Sequence, residues 1–450
     1  MSGKIVALAL IFLLSASSLG GVVETKIKDD DKEINPASSG GVDEKIFDAM
    51  VMAVMKVGHM PSISAAIIKN DSIVWAKGYG LSNIEKNIHP DSSTIYLVAS
   101  ISKTFTATAI MQLQERGLLN IDDDVNKYLP FSIRNPDYPD KPITIRMLLS
   151  HTSSLNEDPI TFYAYIPGDP DVEGYPYPWL EEYLSPNGDF YIPQIWGDYP
   201  PGKEMRYANV GYGILGYVVE RVSSMSFEDY CRENIFEPLQ MHNTSFRLSN
   251  LNVEKVAVPY MLYRGNYYPY VQYGIMVYPA GGLRTSVDDL SHFLIAHMNG
   301  GVWNGVRILS KKSIEEMHSI QSSSNYGFDY GLGFQIWHRK GGIQVGHTGG
   351  LYGVATLMAF RDDGTGVIFF TNKEIRSIRE MIAFSLMERL LFWKGNDYDG
   401  DELSREKIME SMRCYLHLME GENKDYSVEL DNFLSSLYQE TISSTVFFKS

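Results

Sequence analysis

The chain has 450 residues, of which 44% are hydrophobic and 21% charged, and its formal net charge is −16. That composition belongs to a globular protein with a sizeable core and excludes a disordered one. An acidic surface repels phosphate backbones and lacks the basic patch that docks on anionic lipid, so nucleic acid and charged membrane surfaces are excluded as partners.

The N-terminus reads as an export signal. Lys4 supplies a positive start, residues 5–14 are an unbroken apolar run, and residues 15–21 are rich in small side chains. The run is shorter than the ~20 apolar residues a spanning helix needs. Residues 1–21 are therefore expected to be a signal peptide and the mature protein to be secreted, an uncleaved anchor being the competing reading. No cysteine follows the run for lipid attachment, and no later segment is long and apolar enough to span a membrane. Residues 22–41 are polar and charged and read as a flexible leader.

Folded structure is expected from about residue 42. A helix begins near Asp43, with Ile46, Met50, Val54 and Val57 at helical spacing. Two strands, 62–68 and 73–79, flank the turn residues Lys69-Asn70-Asp71. A helix over 100–116 is closed by Gly117 and carries apolar residues on more than one face, which predicts burial all round. Residues 156–202 are rich in Pro, Tyr and Trp without periodicity. Helical patterns return over 210–222, 227–235 and 286–298. Strands follow over 342–345, 353–360 and 366–370, with Asp362-Asp363-Gly364 as a hairpin loop, and then an amphipathic helix over 375–392. Strands at both ends and helices between predict an α/β (α+β) fold. One antiparallel sheet is built from both chain ends and flanked by helices, with a mostly helical insertion over about 100–300. The domain is placed at 42–393. Residues 394–450 form an acidic tail without an assigned role, set off by Gly395-Asn396-Asp397. The two cysteines, Cys231 and Cys414, have no metal-binding or redox spacing, and free thiols and a disulfide both remain open.

Three short motifs carry chemistry. Ser100-Ile101-Ser102-Lys103 puts a hydroxyl and an amine on one helix face, ~5–6 Å apart at Cβ. A lysine so placed can take the serine proton or stabilise its alkoxide, and a serine at a helix start offers an unpaired N–H to an oxyanion. Ser404-Arg405-Glu406-Lys407 has the same spacing but lies in a charged segment and reads as surface helix. Tyr207-Ala208-Asn209 follows Pro200-Pro201-Gly202 and is placed on a loop. A phenol beside an ammonium can act as general base, and Asn209 can hydrogen-bond both the lysine and a substrate carbonyl. His347-Thr348-Gly349-Gly350 closes a short strand, where backbone groups can pair with an extended substrate. The aromatic segments 163–199 and 260–278 are candidates to line the cleft or to pack irregular loops.

Taken in this order, the three motifs resemble those of the serine β-lactamase and penicillin-recognising superfamily, in the branch of class C β-lactamases, D-Ala-D-Ala carboxypeptidases, D-aminopeptidases and related esterases. The resemblance covers about residues 42–393. It includes the Leu148-Leu149-Ser150-His151-Thr152-Ser153-Ser154-Leu155 stretch, Pro279-Ala280-Gly281-Gly282-Leu283, and Tyr330-Gly331-Leu332-Gly333-Phe334. It implies an acyl-enzyme on Ser100, proton handling by Lys103 and Tyr207, and substrate binding by Asn209, His347, Thr348, Gly349 and Gly350. The N–H groups of Ser100 and Gly350 would hold the oxyanion. A small-molecule or peptide substrate is implied, and no metal or organic cofactor. Two positions depart from the family. Ser154 stands where glycine is usual, and His347 stands where β-lactamases usually carry lysine. A histidine is mostly neutral at pH 7, which moves the expected substrate from penicillins towards peptides or esters. The alternatives are a β-lactamase or D-Ala-D-Ala carboxypeptidase, and a binding protein that kept the fold without turnover.

Overall fold

The computed structural model describes residues 44–156, 165–168, 177–324, 327–339 and 342–397. The expected signal peptide and leader, all but the first four residues of the C-terminal tail, and Cys414 lie outside the described residues, as does part of the first aromatic segment. Helix α1 (Glu44–Val57) buries Phe47, Met50, Val51, Val54 and Val57, which fall on one stripe. Strands β1 (Ser62–Lys69) and β2 (Ser72–Gly80) form the expected hairpin, with Asn70 at φ 55° in its turn. Helix α2 (Ser102–Glu115) has every residue from Ser102 to Leu113 buried. Helices α3 (Asn209–Ser223) and α4 (Val287–Met298) pack in the inserted part, the latter capped by the Ser286 hydroxyl.

The other strands of the main sheet are β3 (Ser322–Ser323), β4 (Asp329–Tyr330), β5 (Gln335–Arg339), β6 (Gly342–Leu351), β7 (Val354–Arg361) and β8 (Thr365–Thr371), followed by helix α5 (Ile378–Asp397). Together they form an eight-stranded antiparallel sheet, ordered β3-β4-β5-β6-β7-β8-β1-β2. The first and last of its strands in sequence, β1 and β8, pair side by side, as expected from the pattern of elements, with only β2 between β1 and one edge of the sheet. Both of these strands are covered on both faces. Ile63, Ala65, Ile67, Val367 and Phe369 pack with Phe47 of α1 and Met387 of α5, while Ala66, Ile68, Ile368 and Phe370 face the core of the inserted helices. The Asn372 side chain ties the seam. Its Oδ1 accepts the Ser62 N–H at 2.9 Å, and its Nδ2 faces the carbonyls of Leu81, Ser82 and Val258 at 3.2, 3.3 and 3.0 Å. Among the described residues no helix is long and apolar enough to cross a membrane. Cys231 is a buried free thiol, its pKa pushed up by burial.

Several expected boundaries move for local reasons. Ser100 lies not in the α-helix but in a 3-10 turn, Ala99–Ile101, that leads into α2. Asn209 is the first residue of α3 rather than a loop residue. The 227–235 helix is a short α-helix, Phe227–Cys231, that widens into a π-helical turn, Arg232–Phe236. His347-Thr348-Gly349-Gly350 does not end a strand at Val345. Pairing with β7 continues from Gln344↔Arg361 to Leu351↔Val354, so the motif lies inside β6. Helix α5 starts at Ile378 and runs to Asp397, through the Gly395-Asn396-Asp397 expected to separate the tail.

Glycines set two approaches that shape the cleft. A Cβ on Gly349 would lie 2.3 Å from the Val98 carbonyl oxygen and 2.3 Å from Thr356 Oγ1, so only glycine lets β6 lie against the turn that carries Ser100. Gly333, at φ 85°, brings the segment after Tyr330 onto α2, where a Cβ would lie 2.4 Å from the Ala107 Cβ.

A buried histidine chain lies on the α2 side away from Lys103. Thr108 Oγ1 gives its proton to the Thr104 carbonyl and lies 3.2 Å from His297 Nε2, whose Nδ1 lies 3.2 Å from His318 Nε2. The rings pack among Phe293, Phe334 and Phe360. Burial lowers both pKa values, that of His318 to about 3. The unfolded chain takes up protons near pH 6.5 that the folded histidines refuse, so stability is full above that pH and falls below it. The unfolding midpoint in urea should therefore drop between pH 7.5 and 5.5, before carboxylates titrate; a flat or rising midpoint would contradict the burial of these rings. Gly349→Ala should lower stability by about 1–3 kcal/mol, as overpacking does, read as a lower melting temperature than wild type.

Candidate active site

The site is built around one buried ammonium. Lys103, on the first turn of α2, has no solvent-accessible surface. Its Nζ donates to Ser100 Oγ at 3.1 Å, Asn209 Oδ1 at 2.5 Å and the Ala280 carbonyl at 2.7 Å. Three N–H donors thus face three acceptors from three separate segments. An ammonium so held can stabilise negative charge on the Ser100 oxygen as its proton leaves. The 3-10 turn brings Ser100 to this point. Its preceding residue, Ala99, adopts φ 49°, a left-handed conformation that is strained for a residue with a Cβ.

The Ala-Gly-Gly segment is stapled to α2 on both sides of this contact. Ser102 Oγ donates to the Ala99 carbonyl at 2.6 Å and accepts the Leu283 N–H at 3.0 Å. Thr106 Oγ1 donates to the Pro279 carbonyl at 2.7 Å. The hydroxyls of a helix that reads as apolar therefore fix the short helical turn, Tyr278–Gly281, whose Ala280 carbonyl holds the lysine.

Tyr207 brings its ring face to the ammonium, with Lys103 Nζ 4.8 Å from its centroid and 5.6 Å from that of Tyr212. Below these rings lies a floor of buried aromatic groups. His151 stacks at 4.2 Å on Tyr207, 5.2 Å from Tyr212 and 4.6 Å from Tyr330. Tyr212 donates its hydroxyl to the Leu149 carbonyl at 2.7 Å. Burial raises the Tyr212 and Tyr330 phenols above their usual value. Burial, then the charge of Lys103, pushes His151 well below the ordinary histidine range. Ser154, where the family has glycine, keeps the left-handed backbone at φ 62°, and its Oγ accepts from Asn135 Nδ2 at 3.0 Å.

The third motif divides by face. Thr348 is half-buried, and its N–H and Oγ1 both donate to Gln335 Oε1, at 2.9 and 3.0 Å. Gly349 touches the Ser100 turn, and Gly350 follows it on β6, opposite Ala355. His347 departs from the expected substrate contact. Its ring is fully buried, 6.4 Å from the Tyr207 ring, and it presents no surface to the cleft. Its Nδ1 lies 2.5 Å from the Thr348 carbonyl, which can only accept, so Nδ1 carries the proton and Nε2 accepts the Tyr330 hydroxyl at 2.9 Å. Burial and the neighbouring Lys103 charge lower its pKa to about 3, so it is neutral at physiological pH.

The structure thus brings together Ser100, Lys103, Tyr207 and Asn209, and seats Gly349 against their turn. His151, Tyr212, Tyr330 and the Ala280 carbonyl were not singled out from sequence, although His151, Ala280 and Tyr330 lie within the segments that resemble the family. The signal that could have found them is a polar residue inside an otherwise apolar motif. From the second aromatic segment, the Tyr273 hydroxyl donates to the Tyr352 carbonyl at 2.6 Å, in the turn after β6.

Comparison with known proteins agrees with this geometry. The family model described as Beta-lactamase matches residues 47–383. Protein flp of Staphylococcus aureus (strain MRSA252) is 29% identical over 56% of this chain, and the match spans 48% of that protein, so this chain corresponds to about half of it. Penicillin-binding protein 4* of Bacillus subtilis is 27% identical over 74% of this chain and 73% of its own. The octameric penicillin-binding protein homologue from Pyrococcus abyssi has a solved structure that superposes with a TM-score of 0.63, at 30% identity over 78% of each chain. A buried Ser-x-x-Lys pair, a Tyr-x-Asn segment against it and a glycine-bearing strand beside it, on a sheet closed by both chain ends, place this chain in the β-lactamase family of serine hydrolases.

Proposed function

We propose that the chain is a secreted peptidase or esterase that acylates Ser100 and releases the acyl group to water. The observation that carries this reading is the 3.1 Å contact between Lys103 Nζ and Ser100 Oγ, made by an ammonium whose other two donors are also filled. An ammonium with three acceptors is a donor, so Lys103 stabilises the Ser100 alkoxide while Tyr207, as its phenolate, receives the proton and becomes the phenol. Ser100 Oγ adds to the substrate carbonyl, and the N–H groups of Ser100 and Gly350 hold the oxyanion. The tetrahedral adduct collapses as the proton passes to the leaving amine or alcohol. Water then attacks the acyl-enzyme through the same groups and restores Ser100.

The neutral, buried His347 supports a substrate without an anchored carboxylate. A lysine at that place would be charged, whereas this histidine offers no cation to an anionic group. The match to Penicillin-binding protein 4* supports a second reading, a β-lactamase or D-Ala-D-Ala carboxypeptidase.

A fluorophosphonate probe should label the full-length protein on Ser100, and Ser100→Ala should abolish labelling and turnover with an unchanged melting profile. Lys103→Met and Tyr207→Phe should lower kcat by about 100-fold or more, the scale of lost proton transfer. On the wild type, neutral esters and D-amino-acid amides should be cleaved faster than a chromogenic cephalosporin. Fastest turnover of the cephalosporin, or of a peptide ending in D-Ala-D-Ala, would replace the first reading with the second. Secretion is tested by N-terminal sequencing of protein recovered outside the expressing cell, with cleavage expected near residue 21; an intact Met1 would favour the uncleaved anchor.

A further inference from the structure

The proton acceptor proposed above is one side chain, but its place is set by another. Tyr207 lies between two residues whose backbone N–H groups both end on His151. Arg206 N–H donates to the His151 carbonyl at 2.8 Å, and Ala208 N–H donates to His151 Nδ1 at 3.2 Å. Between these bonds the His151 ring covers the Tyr207 ring at 4.2 Å, tilted by 34°. One residue therefore grips the segment on both sides of the phenol and along its face.

Three further features show that this grip is built. His151 adopts φ 58°, which a side chain of this size takes up only when its surroundings enforce it. An N–H pointing at Nδ1 fixes the tautomer: Nδ1 is bare and Nε2 carries the proton. That Nε2–H is buried and has no hydrogen-bond partner among the described residues, although it lies in the aromatic floor of the site. Leaving a buried donor unmet costs about 1–3 kcal/mol, so the ring is kept here against its own solvation.

We infer that His151 is a positioning residue for the proton-transfer step, holding Tyr207 over Lys103 through the two hydrogen bonds that bracket it. The inference rests on the reading of Ser100 as nucleophile and Tyr207 as its proton acceptor. Imidazole serves here as a neutral acceptor rather than as a base. A proton on Nδ1 would set two donors against each other, release Ala208 and add a second cation beside Lys103. The titratable groups facing the ring are Lys103 from α2, Tyr207 and Tyr212 from and just before α3, Tyr330 from β4 and His347 from β6. None of these is a carboxylate, and Lys103 and His347 both oppose an imidazolium.

Two substitutions separate the hydrogen bond from the backbone. Glycine and asparagine both tolerate a left-handed φ, and both drop the ring, but only asparagine offers an oxygen where Nδ1 accepts from Ala208. His151→Gly should slow fluorophosphonate labelling of Ser100 by about 100-fold, the lower end of a proton-transfer contribution. His151→Asn should recover about tenfold of that loss, one hydrogen bond's worth. Labelling of His151→Gly at the wild-type rate, or equal slowing of both variants while circular dichroism shows both folded, would overturn the inference. A measurement on the wild type needs no variant to fold. In protein labelled with 15N-histidine, the His151 ring should stay neutral and protonated on Nε2 from pH 8 down through 5.5. A His151 resonance titrating near the ordinary histidine pKa would overturn the bracket directly. Probe labelling of the wild type tests Ser100 itself, whereas the tautomer is independent of turnover, so the two ideas fail separately.

Discussion

The site depends on burying one ammonium. Taking Lys103 out of water is tolerable only because each of its N–H groups finds an oxygen, and those oxygens come from the 3-10 turn, the start of α3 and the Ala-Gly-Gly segment. The lysine therefore acts as a structural node as well as a chemical group. Moving any one of the three segments leaves a charged donor unmet in the interior. That requirement explains why α2 spends its hydroxyls on fixing neighbours. Ser102 and Thr106 bond to the 279–283 segment, Thr104 bonds to the Ile101 carbonyl of the 3-10 turn, and Thr108 returns to the Thr104 carbonyl of its own helix.

The surroundings of that cation are arranged to add no second one. His151 and His347, both within its field, are neutral because burial and Lys103 together oppose protonation. Each is also locked by a hydrogen bond that leaves one ring nitrogen bare: His151 accepts from Ala208, and His347 accepts from Tyr330. The exchange of lysine for histidine on β6 thus removes a charge from the wall of the cleft and converts that position into part of the packing.

Much of this was legible in the sequence because it depends on local pattern. The Ser100–Lys103 spacing, the turn at Asn70, the helix start near Ser286 and the hairpin loop Asp362-Asp363-Gly364 each reflect a short-range rule, and the sheet built from both ends follows from where strand patterns fall. What escaped were features that only tertiary contact decides. Val345 looks like a strand end because glycines follow it, yet β6 continues because Gly349 is needed against Val98. His347 reads as a substrate ligand by its place in the motif, but its burial is set by Tyr330, seventeen residues away. His151 carries no spacing signal of its own, since its partners Arg206 and Ala208 lie more than fifty residues downstream. The helix expected to stop before Gly395 continues because apolar burial of Leu390, Leu391, Phe392 and Trp393 outweighs the weak helix propensity of the residues beyond.

The Asn372 seam has a consequence for how the chain reaches this state. Ser62 and Asn372 are 310 positions apart, yet their bond closes the seam between β1 and the end of β8. As a ribosome extends the chain, β1 and β2 exist long before β8, and a two-stranded ribbon is marginal by itself. The inserted helices can organise during that interval, whereas the β1–β8 pairing must wait for the last described strand. Until then the apolar β1, buried on both faces in the end, presents an open edge, and the nascent molecule is most vulnerable to pairing with the wrong strand.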